Sequence, residues 1–145
     1  MNRHHANISS VIVCDDIRRE ISGKDILIGV YSGEIVLSSI PFSLNLAIWL
    51  EYTPSIVGHN EFYIRFMFNN EPIGSINGGI DVAVITSIGL PITGFNIRGD
   101  KPGELQIEFS SDGKTFTTVS RKTLRQGDVQ ALTRVVPAPS PPSPA

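Results

Sequence analysis

This chain has little of several things that usually announce a function. It holds one cysteine, Cys14, in 145 residues. No intrachain disulfide can form, so the fold must stand on packing. Charged residues make up 18% of the chain, and the formal net charge is -2. So weak a field does not draw in nucleic acid or an anionic lipid surface. The densest basic group is Arg121, Lys122 and Arg125, with no adjacent aromatic to stack a base. We therefore expect no nucleic-acid partner. No apolar run approaches the roughly 18 residues that suggest a membrane-spanning helix, so no membrane partner is expected either. The start, MNRHHANISS, has no apolar segment of the secretory kind. The expected location is the cytoplasm, or a virion if the chain is phage-derived.

Catalytic and metal-binding patterns are equally scarce. Zinc needs Cys and His at ligand spacing. Here Cys14 stands alone, His4 and His5 lie in the expected flexible start, and His59 sits in a loop-like VGHNE. There is no Gly-x-Ser-x-Gly elbow, P-loop or dinucleotide fingerprint. Cys14 closes the apolar run VIVC and reads as a small buried hydrophobe. Calcium prefers clustered loop oxygens, and no Asp-x-Asp-x-Asp pattern is present. Asp15, His59 and Asp112 are the candidates for a loop-based calcium or carbohydrate site. We expect no cofactor, no metal and no enzymatic activity.

What the chain does have is strand patterning. FSLNLAIWLEY sets Phe42, Leu44, Leu46, Ile48, Leu50 and Tyr52 on one face and Ser43, Asn45, Ala47, Trp49 and Glu51 on the other. That period of two marks a strand with one buried face. FYIRFMFN and ELQIEF alternate in the same way, placing Phe62, Ile64, Phe66 and Phe68, then Leu105, Ile107 and Phe109, inward. IDVAVIT sets Ile80, Val82 and Val84 on one side. NISSVIVC and DILIGVYS carry β-branched residues on both faces, as strands covered on both sides do. Turn chemistry at SGKD, NNEP, NGG and SDGK fits hairpins, and Gly89, Pro91, Gly94, Gly99, Pro102 and Gly103 punctuate the later part. Helical spacing is hinted at only between Leu124 and Val136, and Gly127 breaks it early. The expected fold is all-β, an antiparallel β-sandwich of about eight strands. It would comprise a flexible start at residues 1–6, one domain at 7–136 and a disordered proline-rich tail at 137–145.

One stretch concentrates charge. In CDDIRREISGK, Asp15 and Asp16 meet Arg18, Arg19 and Glu20. A carboxylate pair built for acid–base work needs its two pKa values pushed apart. Two adjacent guanidinium groups instead keep both acids ionised. We read the cluster as the structural corner of a hairpin: a bulged first strand turns through Ser22, Gly23 and Lys24 and returns as ILIGVYSG. As a strand, Asp16, Arg18 and Glu20 share a face and form a charge-compensated ladder.

The run VCDDIRREISGKDILIGVYSG resembles the N-terminal signature of a family of small bacterial and phage-encoded proteins of unknown function. The matching positions are Asp15, Asp16, Arg18, Glu20, Gly23, Lys24, Leu27, Gly29 and Tyr31, with Leu46 and Glu51 further on and Pro102-Gly103 beyond. The resemblance implies a β-sandwich and assigns no activity.

These observations point to a non-enzymatic module that binds a protein partner or associates with itself. Trp49, Tyr63 and Met67 fall on outward faces of their strands and are the interface candidates, since aromatic residues and Met are enriched at interfaces. The alternatives are a structural or accessory component of a phage or phage-like particle and a loop-based calcium- or carbohydrate-binding module.

Overall fold

The computed structural model describes residues 7–127 and 137–143. The expectation for residues 1–6 lies outside them; of the helical hint from Leu124 to Val136, Leu124 to Gln126 belong to a β-strand instead, and 128–136 lie outside the described residues. Residues 137–143 are exposed and carry no regular secondary structure. Among the described residues there is no helix, and nine strands follow one another. They are β1 (Asn7–Arg19), β2 (Asp25–Val30), β3 (Glu34–Leu37), β4 (Phe42–Thr53), β5 (Gly58–Phe68), β6 (Glu71–Val82), β7 (Ile88–Gly99), β8 (Gly103–Ser110) and β9 (Thr117–Gln126).

The strands form two sheets, ordered β2-β1-β4-β7 and β3-β9-β8-β5-β6. All pairs are antiparallel except β3 with β9, which run parallel from Glu34–Thr123 to Leu37–Gln126. The all-β sandwich expected from the sequence is present, with short β3 as the departure from a purely antiparallel plan. If β1, β4 and β7 are taken as A, B and E, and β9, β8, β5 and β6 as G, F, C and C′, the order is that of an immunoglobulin-type sandwich. In this frame β2 is an added edge strand.

The period of two builds the core. Leu46, Ile48, Leu50 and Tyr52 of β4 meet Ile64 and Phe66 of β5 and Leu105, Ile107 and Phe109 of β8, all buried. Tyr52 and Phe109 pack with ring centroids 5.6 Å apart, and Phe66 stacks on Phe95 at 3.8 Å. Each fully buried aliphatic or aromatic side chain contributes about 1.5–3 kcal/mol by leaving water, so β4, β5 and β8 dominate the stability.

Three segments depart from or refine the sequence expectations. Asn69 and Asn70 take φ values of 51° and 65°, the paired positive φ of a two-residue type I′ hairpin between β5 and β6. The Asn77-Gly78-Gly79 segment is not a turn but lies inside β6. A Cβ at Gly78 would stand 2.8 Å from the Phe62 ring, and one at Gly79 would stand 2.6 Å from the His59 ring. The glycines are there because β5 rings lie across β6. Val84 lies past the end of β6 and is 69% exposed, so it does not share the inward side with Ile80 and Val82.

The pairings Gly58–Val82, Tyr52–Ile88 and Tyr63–Ser110 bring the β4–β5, β6–β7 and β8–β9 loops to one end of the sandwich.

Candidate functional site

The charged corner is a closed set of local partners. Arg18 Nε lies 2.7 Å from Asp16 Oδ2, Arg19 Nε 3.2 Å from Asp25 Oδ1, and Lys24 Nζ 3.4 Å from Glu20 Oε2. The Arg18 bond holds the Asp16 carboxyl below its usual range. Glu20 therefore faces Lys24 rather than continuing the ladder with Arg18. The hairpin closes with Glu20 N–H donating to the Lys24 carbonyl at 2.8 Å, and Gly23 takes φ of +92° at the turn.

The bulge expected at Asp15 and Asp16 is not there. The β1–β2 register runs unshifted from Cys14–Val30 to Arg19–Asp25, and the shift in β1 falls between Ile8 and Ser10, against β4. The local irregularity sits on the returning strand, where Gly29 takes φ of +69°. The Asp15 carboxylate lies over Gly29, at a position a Cβ would occupy, and accepts the Tyr31 hydroxyl. Burial, together with that carboxylate, pushes the Tyr31 phenol up to about 12. Leu27 packs with Cys14, Ile17, Ala47 and Trp49 in a second small cluster. Asp15, Asp16, Arg18, Glu20, Gly23, Lys24, Leu27, Gly29 and Tyr31 thus all sit in this hairpin or just beyond it.

The three interface candidates do not come together. Ile48 and Leu50 point into the core, so Trp49 lies on the outer face of the β2-β1-β4-β7 sheet. Its indole N–H donates to Asp25 Oδ2 at 3.1 Å, and its ring covers Gly89, where a Cβ would stand 2.8 Å from Nε1. A groove of about 550 Å³ runs beside it, lined by Ile12, Leu27 and Lys24 among others. Tyr63 and Met67 lie on the outer face of the other sheet, since Ile64 and Phe66 are in the core. Tyr63 donates to Glu61 at 2.8 Å. Arg65 occupies the middle of that face, paired with Glu108 and set 4.1 Å over the Phe116 ring.

The loop end gathers two of the three residues considered for a calcium or carbohydrate site. His59 and Asp112 line one pocket of about 310 Å³, together with Tyr52, Ile56 and Glu61. Asp15 is not among its lining residues. Asp112 is already engaged: it accepts Lys114 N–H at 2.8 Å, Thr115 N–H at 2.9 Å and the Ser110 hydroxyl at 2.8 Å. Those bonds to the ionised form pull its carboxyl down to about 2. His59 Nδ1 sits 3.0 Å from Asp81. Among the described residues, no group of three or more His, Cys, Asp or Glu side chains is poised to hold a metal ion.

What the sequence reading passed over at this end is apolar. Ile56 and Val57 in the β4–β5 loop are 50% and 60% exposed, and Val84 and Ile85 in the β6–β7 loop are 69% and 47% exposed. Buried Asn60 holds the first loop in place. Its amide donates to the Ile56 carbonyl at 2.8 Å and to the Gly58 carbonyl at 3.1 Å, while its oxygen accepts the Ile56 N–H at 3.3 Å. The available signal was the Ile56-Val57 pair in a short, turn-like segment, and Val84-Ile85 at the end of a run that reads as a strand but whose strand stops at Val82.

No family model matches the chain, and no curated protein matches it. A solved β-glucosidase from Erythrobacter marinus is similar over 83% of this chain and 15% of that one, at 11% identity and a TM-score of 0.39. The chain thus spans 15% of that enzyme's length, and a likeness of this strength carries no argument about activity. Among the described residues, no helix is long and apolar enough to cross a membrane.

Proposed function

We propose that this chain is a non-enzymatic interaction module that engages a protein partner through the loop end of its sandwich. The observation that carries the reading is the exposure of Ile56, Val57, Val84 and Ile85 on two neighbouring loops. Scattered single hydrophobics are ordinary on a surface, but clusters mark contact sites. The Asn60 bonds supply preorganisation, which reduces the ordering cost of binding. Glu61, Asp81 and Asp112 border the aliphatic tip, so a complementary partner presents an apolar patch with a basic rim. The tip carboxylates have structural duties, Asp112 in its turn and Asp81 beside His59, which supports binding over catalysis.

The test uses the full chain carrying Val57→Lys and Val84→Lys. Both positions are exposed, so the thermal midpoint should stay within a few degrees of wild type. A partner captured stoichiometrically by wild type from the source cells should be lost with the variant. Retention of that partner by the variant overturns the proposal.

A further inference from the structure

The pocket at the loop end contains one polar group that the fold leaves unused. Tyr52 is 1% exposed, and its ring packs against those of Phe62 and Phe109. Burial pushes its phenol up, so the hydroxyl stays protonated. Among the described residues, none hydrogen-bonds that hydroxyl, and no side-chain polar atom is both sealed from solvent and unpaired. The hydroxyl therefore opens into the pocket that Tyr52 lines. A buried tyrosine hydroxyl ordinarily has a partner, and the pocket is where one can reach it.

The surroundings of the hydroxyl specify that partner's chemistry. Glu61 and Asp112 line the same pocket, and among the described residues no lysine or arginine does. Asp112 is held in its turn by three bonds that all end on Oδ1, which leaves Oδ2 to accept a further donor. Glu61 takes the Tyr63 hydroxyl on Oε2, and its other oxygen stands 4.0 Å from His59 Nε2. The Tyr63 phenol is pushed up first by its bond to Glu61, and the charge of Asp112 adds to the effect, so the two carboxylates are neighbours. Half-exposed Ile56 supplies an apolar wall. At about 310 Å³ the space is at the small end of ligand pockets and suits a single side chain. The fitting group has an apolar stem and a cationic head with several diverging donors. Arginine has that form, with five N–H donors in a planar fork that is always charged. The lysine ammonium is more strongly hydrated and costs more to bring beside a buried hydroxyl.

We propose that this pocket receives an arginine side chain of the protein partner, its guanidinium held by Glu61 and Asp112 and donating to the Tyr52 hydroxyl. The inference rests on the loop-end reading and gives the partner's basic rim a specific anchor.

The experiment titrates the full chain with Nα-acetyl-arginine methylamide, followed by backbone amide shifts. The probe should shift Asn60, Glu61 and Asp112 saturably. The neutral citrulline analogue should not, and the lysine analogue should bind more weakly. Tyr52→Phe keeps the ring contacts and deletes the hydroxyl alone. Its thermal midpoint should match wild type while the Kd of the probe rises about tenfold, and Glu61→Gln should weaken the probe by a similar factor. This arm needs no partner, so its outcome is separate from that of the loop-end reading. In capture from the source cells, both variants should lose the partner that wild type holds. Absence of saturable shifts, citrulline or lysine binding as tight as arginine, an unchanged Kd in Tyr52→Phe, or a partner held as firmly by both variants as by wild type each overturns the anchor and leaves the loop-end reading in place. Retention of the partner by Val57→Lys/Val84→Lys, with probe binding to wild type intact, overturns the loop-end reading instead.

Discussion

Replacing Gly29 with alanine tests the account of the charged corner. The backbone there has φ of +69°, and a Cβ would lie 2.8 Å from Asp15 Cγ and closer still to Oδ2. Alanine in the left-handed region costs roughly 1–2 kcal/mol. The new methyl also displaces the Asp15 carboxylate from Tyr31. Since Asp15 is exposed, that hydrogen bond is worth about 1 kcal/mol. The expected loss is therefore roughly 2–3 kcal/mol. With m of about 2 kcal/mol per molar, this lowers the urea midpoint by about 1–1.5 M. Gly23 is the control. Its φ is +92°, but a Cβ there meets no described atom within 4 Å, so Gly23→Ala should cost only the backbone part, about 1–2 kcal/mol. Removing the obstacle supplies the decisive comparison. In an Asp15→Ala background, Gly29→Ala should cost about 1 kcal/mol less than in wild type, a coupling that urea titration of the four proteins resolves. If the two glycines lose the same stability and the Asp15 background changes nothing, the packing of Asp15 on Gly29 does not hold the hairpin.

Two further outcomes follow from the structure. Asp112 has a folded pKa near 2, below the ordinary 3.8, so its stabilisation is complete above about pH 4 and is lost as pH falls toward 2. Asp112→Asn should remove that slope, so wild type loses more stability than the variant over this range in acid titrations followed by circular dichroism. Parallel curves would contradict the turn assignment. Cys14 is fully buried and its thiol is pushed up, chiefly by burial. Labelling by a thiol reagent should be at least about a hundredfold slower in the native chain than in urea, and comparable rates would contradict the packing of the second cluster.

The parts of the fold legible in the sequence are those where one face is buried and the other wet. β4, β5 and β8 alternate cleanly, and their inward residues are the core. Elsewhere the deciding cause is tertiary. β7 is broken up by Gly89, Pro91, Gly94 and Gly99, a composition that reads as loop. Proline is tolerated there because the strand is an edge, while Gly89 and Gly99 make room for the Trp49 and Phe42 rings. β2 has the β-branched composition of a covered strand, and composition does not distinguish an edge from a centre. Trp49 reads as an outward anchor because its partner, Asp25, is 24 residues away in the chain. The corner was legible as a hairpin from its turn residues and paired charges. Its irregular residue was not, because the contact that requires it, Asp15 on Gly29, crosses between strands. The loop end was missed because four aliphatic residues in two loops become a cluster only once Gly58 pairs with Val82 and Tyr52 with Ile88.

The most direct test of the proposed role is a side-chain footprint, comparing the purified chain with the same chain inside its source cells. Carbene or hydroxyl-radical labelling reports on Ile56, Val57, Val84 and Ile85, all of them exposed in the isolated chain. The account predicts that labelling of these four residues falls several-fold in cells, while Met67, near the other end of β5, is labelled equally in both. Equal labelling of the loop end in and out of the cell would contradict it.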